Sequence, residues 1–102
     1  MNVVLHAAAA ADVGATGDWY EAQRPGLGID FAYEVDRALE LIGERHEAWP
    51  LWPDTPPDLA VRRFVLPRFP FAIAFMAFDD RVVVLAVAHE RRRPGFWLGR
   101  LT

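Results

Sequence analysis

A chain of 102 residues, 53% hydrophobic and 25% charged, is one domain's worth of sequence and buries roughly two-thirds of its unfolded surface without covalent staples. It has no cysteine and three scattered histidines, His6, His46 and His89, which excludes disulfides, thiolate metal sites and cysteine nucleophiles and leaves no local zinc motif. Net charge is −3 and all eleven basic residues are arginine, so no lysine is available as nucleophile, Schiff base or general base.

The charge is polarised along the chain. Residues 1–60 carry three Arg against eleven acids, −8, and residues 61–102 carry eight Arg against three acids, +5. No stretch approaches the roughly 18 uncharged apolar residues of a membrane helix. The apolar N-terminus lacks a basic n-region and is interrupted by His6 and Asp12, so it reads as a strand plus the first turns of a helix rather than a signal peptide. A cytoplasmic protein without a cofactor is the expectation.

Asn2 to His6 is predicted as a short strand. The alanine tract from Ala7 favours helix, continuing to Tyr20 or Ala22, with Ala9, Val13, Thr16 or Gly17 and Tyr20 on the buried face. Gly14 and Gly17 each cost helix stability, about 1 kcal/mol against Ala, and are expected to let another element approach closely. Arg24-Pro25-Gly26-Leu27-Gly28 breaks the chain. A second helix follows from about Ile29 to His46, with Asp30 and Glu34 suited to its N-terminal dipole and Leu27, Phe31, Val35, Ala38, Leu39 and Ile42 forming an apolar stripe. The short connection makes the two helices an antiparallel hairpin.

Residues 49–57, rich in Pro, form an ordered connector that is neither helix nor central strand. Trp49 and Trp52 are expected against the core, with a ligand platform as the alternative. Three strands follow, roughly Leu59–Pro67, Phe71–Phe78 and Val82–His89, the last two joined by a tight turn at Asp79-Asp80. Pro94-Gly95 breaks the chain before one or two helical turns over Phe96–Leu101. The order β-α-α-β-β-β-short α, a helical hairpin packed on a small antiparallel sheet, is an α+β fold in a single domain spanning 1–102.

Antiparallel pairing of the last two strands brings the arginines before Phe71 and those after His89 to one end of the sheet. Guanidinium groups there suit carboxylates and phosphates and stack on aromatic rings. Arg62, Arg63, Arg68, Arg91, Arg92, Arg93 and Trp97 are the candidate binding residues. Arg62 and Arg63 are neighbours on a strand and face opposite ways, so they cannot both serve one surface.

The chain resembles the RelE/ParE superfamily of toxins from bacterial type II toxin–antitoxin systems, especially its ParE-like branch. The resemblance is carried by Trp19-Tyr20-Glu21, Arg24-Pro25-Gly26-Leu27-Gly28, Phe31, Val61-Arg62-Arg63-Phe64, Arg68-Phe69-Pro70-Phe71, Val84 to His89, Arg91-Arg92 and Trp97, in this order and spacing. It implies a toxin neutralised by a cognate antitoxin, a ParD-like ribbon-helix-helix protein or similar. DNA gyrase is the implied target, inhibited by binding, with no membrane partner.

RelE-like relatives instead cut mRNA on the ribosome, which calls for cations on the phosphate and an acid–base pair. Here lysine is absent, and Phe96 and Trp97 stand where such relatives carry a C-terminal tyrosine. Direct nucleic-acid binding is therefore expected only under that alternative. Its reserve catalytic set is His89 as base with Arg62 or Arg63 and Arg91 on phosphate. A degenerate toxin that only binds antitoxin is the remaining possibility.

Overall fold

The computed structural model describes every residue except Asp54, Pro57, Pro94 and Thr102. The break expected at Pro94 and the end of the connector at Pro57 lie outside the described residues. The first strand, β1 (Asn2–Leu5), ends one residue before His6. His6 instead caps helix α1 (Ala7–Gln23), its Nδ1 accepting the Ala8 N–H at 3.0 Å and so satisfying one of the helix's orphan donors. Helix α2 (Leu27–Glu44) starts two residues earlier than the dipole argument placed it. Gly26 at φ 89° makes the reversal, and the Glu21 carboxylate takes the Gly26 and Gly28 N–H groups at 2.9 and 3.0 Å.

The close approach of the two helices is made between Gly28 and the Gly17 backbone, and it is Gly28, rather than Gly14 or Gly17, whose missing side chain permits it. A Cβ on Gly28 would sit 2.6 Å from the Gly17 carbonyl oxygen, whereas one on Gly14 or Gly17 would meet nothing within 4 Å. The predicted stripe on α2 is inward: Phe31, Val35, Ala38 and Ile42 are buried, with Leu27 and Leu39 partly so. Glu34 is not at the helix's N-terminal end serving the dipole; it is buried on the inner side. After α2 a 3-10 turn at His46–Ala48 leads into the connector.

Strands β2 (Arg62–Val65), β3 (Phe71–Ala77) and β4 (Arg81–His89) form the expected antiparallel meander. The sheet order is β1-β4-β3-β2. Strand β1 adds to the free side of β4 in parallel, Leu5 opposite Val84, because the helical hairpin carries the chain back over the sheet before the meander begins. The sheet is therefore mixed, within the predicted α+β class. The connector pairs with the other edge: Trp52 N–H reaches the Val61 carbonyl at 2.7 Å and Arg63 N–H the Pro50 carbonyl at 2.9 Å. Both tryptophans are partly buried and pack against the core as expected, Trp49 on Phe64 (centroids 4.5 Å) and Trp52 on Trp97 (4.2 Å).

A β-bulge divides the core. Ala74 pairs with Ala86 but the next residue, Phe75, pairs with Val84, leaving Leu85 without a β3 partner. The extra residue shifts the alternation of faces. Val82, Val84 and Val87 join Ile73, Phe75 and the helices on one side. Leu85 and Ala86, adjacent in sequence, both join Val61, Ala74 and Trp97 on the other. That second face is covered by Trp52, Leu59 and the C-terminal 3-10 helix, Phe96–Leu101.

A basic, aromatic-lined end of the sheet

The register sets which arginines meet. Phe71 lies opposite His89, and Glu90 N–H donates to the Pro70 carbonyl at 2.9 Å, so the residues just before β3 and just after β4 are neighbours. Arg68, Arg91, Arg92 and Arg93 are brought to this end. Arg62 and Arg63 are not. They lie opposite Phe75 and Ala74, so Arg62 is roughly 13 Å along the strands from the Phe71 end at about 3.3 Å per residue.

Each arginine's surroundings differ. Arg62 Nη1 donates to the Trp49 carbonyl at 2.6 Å, which ties the connector to β2. Arg63, on the opposite face, stands over the Trp52 ring at 5.6 Å. Arg68 is held by the buried Glu34, whose Oε1 takes the Arg68 backbone N–H and whose Oε2 takes Nε, both at 2.8 Å. That hydrogen bond, and then the carboxylate's charge, push the Arg68 guanidinium pKa further up. Arg92 stacks on Phe96 at 3.8 Å, within cation–π range. Arg91 and Arg93 are exposed, and among the described residues neither side chain has an acidic partner.

Trp97 is fully buried, so in this conformation it supports the surface from beneath rather than forming it. It touches Trp52 and Phe96. Phe96 is flanked by Arg92 and, at 5.2 Å, by Arg100. Arg100 was not among the sequence candidates, and its partner is far away in sequence. Arg100 Nη1 donates to Asp12 Oδ2 and to the Leu85 carbonyl, each at 2.8 Å. Asp12 Oδ2 also accepts the Val87 N–H at 3.1 Å. The pair thus caps the backbone groups next to the bulge, beyond the point where β1 stops.

His89 is exposed, edge-on to Phe71 at 5.3 Å, and its Nδ1 accepts the Arg91 N–H at 3.1 Å. The reserve catalytic set is brought together only in part: Arg91 adjoins His89, whereas Arg62 sits mid-sheet on a carbonyl and its neighbour Arg63 stands on the other face against Trp52. Among the described residues no group of three His, Asp or Glu is placed to hold a metal, and no helix is long and apolar enough to cross a membrane.

Beneath this end lies an aromatic cluster. Tyr20 packs against Phe69, Phe31 and Phe71 at 4.9, 5.5 and 6.1 Å, and burial pushes its phenol pKa up. Trp19 packs edge-to-face on Tyr20 at 5.2 Å and remains 59% exposed, so its indole belongs to the surface and not to the core. Tyr20 and Trp19 carried a signal in the sequence, as a pair closing α1. Asp12, Glu34 and Arg100 carried none, because their partners are remote.

No family model and no curated protein matches the sequence. Among solved structures the chain is similar to one titled "Chromosomal ParDE TA system from P. aeruginosa", with a TM-score of 0.75 and 21% identity over 87% of this chain and 95% of that one. The two share a fold.

Proposed function

We propose that this chain is the toxin of a toxin–antitoxin pair, ParE-like, and that it acts by binding its target rather than by breaking bonds. The observation that carries the reading is the shared fold with a chain of a ParDE system across nearly the full length of both. The site chemistry supports it. The basic end offers exposed guanidiniums on a rigid aromatic base, and of the arginines proposed for phosphate Arg62 and Arg63 lie away from His89, leaving Arg91 alone beside it.

In this reading DNA gyrase is the target in the cytoplasm, and a ParD-like antitoxin neutralises the toxin. Arg91, Arg92 and Arg93 form the contact surface, with Arg68 at its rim. Arg62, Arg63 and Trp97 act by holding the connector and the C-terminal helix in place. Controlled expression in a bacterial host tests it. Growth should arrest on induction and recover when the product of the adjacent gene is co-expressed. Unimpeded growth at high expression of folded protein would contradict the reading.

A further inference from the structure

The exposed Trp19 is one wall of a cleft of about 390 Å³ that also includes Tyr20, Pro70, Phe71 and His89. This volume is in the lower part of the range for ligand clefts, roughly 300–1,000 Å³. The floor is rigid, since Tyr20 is wedged among three phenylalanine rings and the Pro70 carbonyl is tied to Glu90 N–H. The walls are aromatic or aliphatic, and one polar group stands at the rim. Because His89 Nδ1 accepts the Arg91 N–H, the neutral ring carries its proton on Nε2, and that donor has no partner among the described residues. Arg91 and Arg93 follow within four residues of it, both exposed. Of the acids nearby, Glu21 is committed to Gly26 and Gly28, and Glu90 and Asp18 are exposed.

We infer that this cleft seats one large apolar side chain of an acidic peptide segment from a partner protein. The flanking carboxylates of the segment lie on Arg91 and Arg93, and a peptide oxygen accepts from His89 Nε2–H. The inference rests on the reading of the chain as one half of a protein pair. Charge complementarity chooses the occupant: an apolar cavity beside unpaired arginines matches an apolar residue set among carboxylates. A nucleic-acid base fits less well. The cavity has a single polar donor with which to read a base edge.

Fluorescence anisotropy with labelled peptides tests this. The probe is a short peptide of glutamates around one apolar position, varied among Phe, Leu, Met and Trp. Controls carry Ser at that position or Gln in place of Glu, and a single-stranded oligonucleotide is titrated in parallel. The expected result is binding by the apolar-acidic peptides alone, weakened by salt, with Trp19→Ala and the Arg91→Ala, Arg93→Ala double variant each losing about tenfold or more. Both variants change exposed residues, and near-UV circular dichroism verifies that they fold. Equal binding of the Ser peptide, no binding by any peptide, or displacement by the oligonucleotide alone would overturn the inference. Purified antitoxin separates this from the parent reading. If it binds wild type and Trp19→Ala equally, the cleft is not the seat although the pairing stands. If it does not bind at all while the peptides do, the cleft stands and the pairing falls.

Discussion

Asp12 and Arg100, 88 residues apart, meet at 2.8 Å and together close the edge of β4 where β1 runs out. Both side chains are largely buried, 16% and 19% exposed. Asp12→Ala would strand the guanidinium, the Val87 N–H and part of the C-terminal helix's anchorage at once. The expected loss is about 3 kcal/mol, in the range for breaking a buried pair. Replacing both partners should cost less than the sum of the single changes. Urea unfolding of the two single variants and the double variant checks this; additive losses would mean the pair is not coupled.

Glu34 and Arg68 make an asymmetric pair. The carboxylate is buried and uses both oxygens, while the guanidinium side chain is 65% exposed. Glu34→Ala leaves the Arg68 backbone N–H without its acceptor and opens the inner side of α2, a loss of about 1–3 kcal/mol. Arg68→Ala keeps the carboxylate's bond to that N–H, and water replaces the exposed partner, so it should destabilise less. Thermal melts of the two variants decide the order. A larger loss in Arg68→Ala would mean the ion pair, not the backbone bond, secures the loop before β3.

Tyr20 gives an alkaline signature. Burial raises its pKa above the ordinary tyrosine value, about 10. The folded state therefore holds the phenol proton more tightly than the unfolded state. The associated stability is fully present below the ordinary value and is lost as pH rises through the raised one. Tyr20→Phe should flatten the fall in stability above roughly pH 10. Denaturation midpoints from pH 8 upward, wild type against variant, measure it, and parallel curves would contradict the assignment.

The helix contact makes a prediction with opposite signs at nearby glycines. Gly28→Ala drives a methyl into the Gly17 carbonyl at 2.6 Å and must push the hairpin apart. Gly14→Ala and Gly17→Ala enter open space on a helix and should gain about 0.5–1 kcal/mol each from propensity. Melting temperatures of the three variants test the pattern, and a stabilised Gly28→Ala would refute the close approach.

These residues show what local sequence can and cannot say. Helix and strand positions were legible because apolar spacing and Pro-Gly punctuation act over a few residues, and they placed both helices and the meander within a few positions. The bulge at Leu85 was not legible. In the apolar run from Val82 to Ala88 every residue suits either face, so nothing marks the shift in alternation. Glu34 looked like a dipole residue because its partner lies 34 positions away. The arginine set was gathered correctly only where strand pairing does the gathering. Arg68 and Arg91 to Arg93 share one end of the sheet; Arg62 and Arg63 share their charge but not their register.

The reading of the basic end as a binding surface is tested most directly by DNA supercoiling with purified gyrase. Wild-type protein at micromolar concentration should inhibit supercoiling, and Arg91→Ala with Arg93→Ala should weaken that inhibition while leaving the fold intact. Full supercoiling in the presence of folded wild-type protein, together with cleavage of mRNA on translating ribosomes, would contradict it.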